Sequence, residues 1–138
     1  MDGFKILSLR TKDSAFEPYK AFIISTWLKA LRYGNDWFEM IDQDIYFDLY
    51  HKGIEKMFES PDCLARLALL SDDLDVCLGY SIVNKNMLHF VYTKKDLRNQ
   101  GIAKSLVPEI TQVSHITHIG KKILRKPNYK HLKFNPFF

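Results

Sequence analysis

The sequence predicts an α+β fold, a mostly antiparallel mixed sheet flanked by helices, and three observations carry that prediction. Two long segments repeat apolar residues at three- and four-residue spacing, the mark of amphipathic helices. Three short β-prone runs follow, joined by turn clusters, as in an antiparallel meander. A glycine-containing loop then opens another apolar-faced helix. Together they give the order β-α-α-β-β-β-α-β-α-β in a single domain covering residues 1–138.

Residues 4–10, FKILSLR, alternate apolar and polar and read as the first strand. Residues 17–33 form the first helix, with Tyr19, Phe22, Ile23, Thr26, Trp27, Ala30 and Leu31 on one face. Pro18 sits where a first turn tolerates it, and Gly34 stands just past the end. This aromatic stripe reads as core packing rather than a ligand box. Residues 44–59 form the second helix through Tyr46, Phe47, Tyr50, Ile54, Met57 and Phe58. Gly53 weakens it by about 1 kcal/mol relative to Ala. The intervening loop, 35–43, holds Trp37 and Phe38, which either line a substrate pocket or cap the core.

After Pro61 the pattern changes to strands over 64–70, 76–83 and 87–93. Residues 71–75 and 84–86 are the turns between them. A helix is expected over 99–112, with Ile102, Ala103, Leu106, Val107 and Ile110 inward. Pro108 falls inside it, removes a hydrogen bond to Lys104 and bends it. A strand over 113–119, a short basic helix over 120–126 and an irregular or stranded 129–138 complete the chain.

The formal net charge is +4 and the pI is near 9.0. Such a surface attracts nucleic acid, anionic membrane or a phosphorylated cofactor. Nucleic acid stays open as a partner, but no recognition motif supports it. No apolar stretch approaches 18 residues, so no membrane association is expected. The hairpin turn at 71–75 places Cys77 near Leu70 rather than near Cys63, which disfavours a disulfide. Two unpaired thiols and the lack of an apolar leader fit the cytoplasm. No cysteine or histidine spacing suits a metal.

The chemistry concentrates in 88–106, LHFVYTKKDLRNQGIAKSL, which runs from strand through loop to helix. The first amide groups of a helix have no partner within it. Gly101 lets an anion approach the backbone, and Ala103 is small for the same reason. Successive amides over Arg98, Asn99, Gln100, Gly101, Ile102, Ala103 and Lys104 can form a concave nest for a pyrophosphate. Lys94, Lys95, Arg98 and Lys104 add positive charge at its rim. The short pattern gains meaning from its place after the third strand of a meander.

This arrangement resembles the Gcn5-related N-acetyltransferase (GNAT) superfamily. The family motif, Gln/Arg-x-x-Gly-x-Gly/Ala, is matched by Arg98, Gly101 and Ala103. The element order matches over nearly the whole chain. The chain also resembles short members from tailed phages and prophages, in its apolar first helix and its Asn135-Pro136-Phe137-Phe138 ending. The resemblance implies an N-acetyltransferase that moves an acetyl group from acetyl-CoA (coenzyme A) to an amine-bearing acceptor by direct attack in a ternary complex. It implies that the fourth strand splays from the fifth, so that Val91, Tyr92 and Thr93 hold the pantetheine arm. A monomer or homodimer is expected.

Some relatives carry a basic Glu early in the fourth strand, where this chain has Met87. His89, two residues on, is expected on the same strand face and is the candidate base. His115 and His118 flank the fifth strand as alternatives. Tyr129 matches the acid that relatives place on or near the last helix. The alternatives to an enzyme are an inactive binding module on this scaffold, which Met87 favours, and a small basic protein that binds nucleic acid or a host protein.

Overall fold

The computed structural model describes residues 3–34, 36–97, 101–107, 109–115 and 131–135. Six strands form one mixed sheet in sequential order. They are β1 (Phe4–Arg10), β2 (Cys63–Leu70), β3 (Asp73–Asn84), β4 (Met87–Thr93), β5 (Gln112–Val113) and β6 (Lys133–Phe134). The first four are antiparallel neighbours, whereas β5 runs parallel to both β4 and β6.

Two helices cover one face: α1 (Glu17–Tyr33) and α3 (Gln43–Phe58). Ile23, Trp27 and Leu31 of α1, Tyr46, Ile54 and Phe58 of α3, and Leu67, Tyr80 and Ile82 of the sheet are buried in one cluster. Hydroxyls fix the layers where the apolar contacts alone would let them slide. Tyr80 Oη donates to the Ile23 carbonyl at 3.0 Å, and Tyr46 Oη to that of Leu28 at 2.7 Å. Asp42 caps α3 by accepting from the amides of Asp44 and Ile45. Between these helices lies a one-turn helix, α2 (Asp36–Glu39), where a loop was expected. Phe38 there packs edge-on against Tyr46 and Tyr50, which gives it the core-capping role.

On the other face a smaller cluster gathers Ala68, Leu78, Ile102 and Leu106. Its helix, α4, spans only Ile102–Leu106, not 99–112. The reason is local. Val107 turns extended, with φ −92° and ψ 111°. That is the region a residue preceding a proline prefers, and Pro108 follows. The helix therefore stops instead of bending. β5 begins one residue before the expected strand and shares Val113 with it, while 116–119 and the expected basic helix lie outside the described residues.

Candidate functional site

Among the described residues, the pairing of β4 with β5 is short. Their parallel ladder consists of Met87↔Gln112 and Leu88↔Val113, with the Ser114 amide donating to the Leu88 carbonyl at 3.1 Å. β4 then runs on to Thr93, still paired with β3 down to Gly79↔Thr93. The segment Phe90–Thr93 thus extends past the end of the β5 ladder. Within it, Tyr92 stacks on Tyr80 at 5.4 Å between centroids, and Val91 packs in the α4 cluster on the opposite face. Thr93 is buried.

Gly79 lets β4 come this close. A Cβ there would lie 2.6 Å from the Tyr92 carbonyl oxygen and 3.3 Å from a Leu106 methyl. Beyond Thr93, the Lys94 amide bonds the Leu78 carbonyl, and a 3-10 turn covers Lys95–Leu97. Arg98, Asn99 and Gln100 lie outside the described residues. Gly101 caps α4 in the left-handed region, φ +83°, with open space where a Cβ would stand. Only glycine adopts this conformation without strain. Ile102 is buried and anchors the helix, whereas Ala103 and Lys104 are exposed. The open ground over Gly101 at the start of this helix fits a phosphate-bearing ligand.

Two residues that no sequence pattern marked hold α4 in place. Ser81 Oγ, buried in β3, donates to the Leu106 carbonyl at 2.7 Å. Arg66 of β2 donates through Nη2 to the Ser105 carbonyl at 3.2 Å. They satisfy carbonyls that a helix end leaves open. Their partners lie 25 and 39 positions away, so local periodicity could not reveal them.

His89 does not follow the expected alternation. Ile82 pairs with Phe90 and Val83 with Leu88, so His89 is the extra residue of a β-bulge. A bulge resets the facing of side chains, and the inference from Met87 to His89 loses its basis. The ring is 3% exposed and bonds through Nδ1 to Ser114 Oγ at 2.7 Å. The same hydroxyl lies 2.7 Å from Nδ1 of His115. His115 packs edge-on against Trp27, which itself stacks on Phe90. Burial pulls His89 down to about 4, helped by the neighbouring His115. Burial likewise pulls His115 to about 4, opposed by a bond to the His89 backbone. Both rings are therefore neutral at neutral pH and can accept a proton.

Tyr129 and His118 lie outside the described residues. A separate groove of about 570 Å³ lies between α1 and α3, floored by Ile24, Leu28 and Phe47. No group of three or more potential metal ligands occurs among the described residues. No described helix is long and apolar enough to cross a membrane. Both cysteines are free and buried, Cys63 opposite Asn84 and Cys77 opposite Leu69, as the hairpin register required.

A mixed sheet whose fourth strand outruns a parallel fifth, backed by a glycine-opened helix, is the fold of the GNAT acetyltransferases. The likeness that shows it is to meta-AAC0020, an aminoglycoside acetyltransferase from an uncultured soil metagenomic sample, solved in complex with trehalose. It covers 89% of this chain and 84% of that one, at a TM-score of 0.50 and 15% identity. YjaB of Escherichia coli, in its apo form, is similar over 75% of this chain at a TM-score of 0.48 and 13% identity, and this chain spans 60% of its length. A Staphylococcus aureus protein assigned to the GNAT family is similar over 73% of this chain and 82% of that one, at a TM-score of 0.45 and 14% identity. No protein-family model and no curated protein matches the sequence.

Proposed function

We propose that this protein is an acyl-CoA-dependent N-acyltransferase acting on a primary amine. The observation that supports the reading is the short β4–β5 ladder, which among the described residues ends at Leu88↔Val113 while β4 continues to Thr93 paired with β3. Val91, Tyr92 and Thr93 would line the pantetheine arm, and the amides of Gly101 to Lys104 would take the pyrophosphate, with Arg98, Asn99 and Gln100 completing the loop. Bound there, acetyl-CoA supplies an activated acyl thioester.

The chain's own task is to align the amine and take its proton. His89 is the base, neutral and held beside β4 by its bulge. Its low basicity suits an amine that arrives uncharged, or whose N–H becomes acidic as the new bond forms. A cationic ammonium near pKa 10.4 would have to lose its proton before attack. A binding module without turnover is the second reading, favoured by Met87 where a carboxylate base would stand.

The test is a melting curve with and without acetyl-CoA, followed by thiol release with a panel of amines. A ligand that binds only the folded state raises the melting temperature. Gly101→Glu places a charged side chain on the open ground and is expected to abolish that shift. Strain at φ +83° adds about 1 kcal/mol of destabilisation. An undiminished shift in this variant would sink the placement of the site. A shift without release for any amine would favour the binding module.

A further inference from the structure

We infer that the groove between α1 and α3 is a second binding site, which takes a small amphipathic carboxylate with its apolar body on Ile24, Leu28 and Phe47 and its anionic end on Arg32. The inference goes beyond the acyltransferase reading and stands without it.

The groove holds about 570 Å³, a size that suits a small ligand. Ile24, Leu28 and Arg32 stand four residues apart on α1 and so form one row along its surface. The first two floor the groove, and Arg32 continues their row at its end. Phe47 lines the groove from α3, and its ring centroid lies 5.8 Å from Cζ of Arg32. One ring thus borders both the cavity and the guanidinium. Phe47 is only half-buried, so a change of its rotamer would open the guanidinium to the groove.

Arg32 is the group that the fold leaves unexplained. It is 8% exposed, and a cation so buried is normally paired with an anion. Here Nη2 donates to the Ile41 carbonyl at 3.0 Å, while Nη1 is buried with no hydrogen-bond partner. The rings of Tyr46, at 5.1 Å, and Phe47 face the guanidinium and offset part of its burial. They cannot bond the N–H groups that lie in its plane. Among the described residues no carboxylate forms an ion pair with Arg32. On α3, Glu55 is engaged by His51 at 3.0 Å and Asp48 by Lys52 at 3.1 Å. Glu17 and Lys20 lie at the other end of the groove. Lys29, exposed on the rim one turn before Arg32, adds a second positive charge at this end. An apolar floor that ends on two cations is complementary to a hydrocarbon that ends in an anion. A carboxylate matches the planar fork of a guanidinium better than any other small head group of one negative charge.

The experiment is calorimetric titration of the full chain with octanoate, octylamine and octanol, which share a tail and differ in the head. Octanoate is expected to bind at one site, and the other two at least about tenfold more weakly. Arg32→Met keeps a long side chain without the charge and should weaken octanoate by about 10–100-fold while leaving octanol unchanged. Ser25→Trp fills the groove from an exposed position, covers the case in which the methionine variant does not fold, and should abolish octanoate binding. Folded Gly101→Glu, on the other face of the sheet, should bind octanoate as the wild type does. Absence of octanoate binding overturns the proposal, and so does equal binding of all three heads. Wild-type affinity in folded Arg32→Met or Ser25→Trp does the same. Loss of binding in folded Gly101→Glu would place the anion at the loop after β4 and overturn it too.

Discussion

At Gly79 one hydrogen atom decides how closely two strands approach. A methyl group there would meet the Tyr92 carbonyl at 2.6 Å, and a backbone oxygen cannot swing aside as a side chain can. Gly79→Ala is expected to cost about 1–3 kcal/mol, as over-packing does. Urea denaturation checks this, and loss of the acetyl-CoA melting shift would accompany it if β4 moves. Nothing in the sequence singled this glycine out, because its role depends on a strand 13 positions further along. Gly101 differs: its loop context between strand and helix was visible, and its positive φ bears that context out. His89 was visible as a histidine of the expected strand, but its burial in a bulge was not. Its partner Ser114 was not visible either, because a serine just past a two-residue strand carries no pattern of its own.

Among the elements, those with strong internal periodicity were legible almost to the residue. β1 and α1 fall at 4–10 and 17–33 as read, and α3 is displaced by one position. Their apolar faces repeat over enough turns for the period to outweigh single residues. The meander was legible because turn clusters punctuate it. α4 was not, since its apolar pattern continues through Pro108 while the backbone cannot. α3 carries a correctable weakness. Gly53 is exposed inside this helix, with nothing within 4 Å of its Cβ position. Gly53→Ala is expected to stabilise the fold by about 1 kcal/mol, raising the melting temperature by roughly 4 °C. A calorimetric scan reads that shift directly, and no change or a fall would contradict the open space described.

For the molecule as a whole, pH acts through the buried imidazoles. His89 and His115 titrate near 4 when folded, against an ordinary value of 6.5. Between those values the unfolded chain binds more protons than the folded one, so stability falls as pH is lowered from about 6.5 toward 4. Above 6.5 both states are neutral at these rings and the contribution is constant. A melting temperature that declines between pH 6.5 and 5, before ordinary carboxylates protonate, is the expected record, and His89→Asn should make the decline shallower, leaving the share of His115. The two thiols give the same opening a second reporter. Cys63 and Cys77 sit on neighbouring strands in the main core, at 0% and 7% exposure, and burial raises the pKa of each, Cys77 to about 11. A thiol-reactive dye added to the native protein would find almost no reactive thiolate. The slow incorporation of the same dye into the chain would therefore clock how often β2 and β3 come apart.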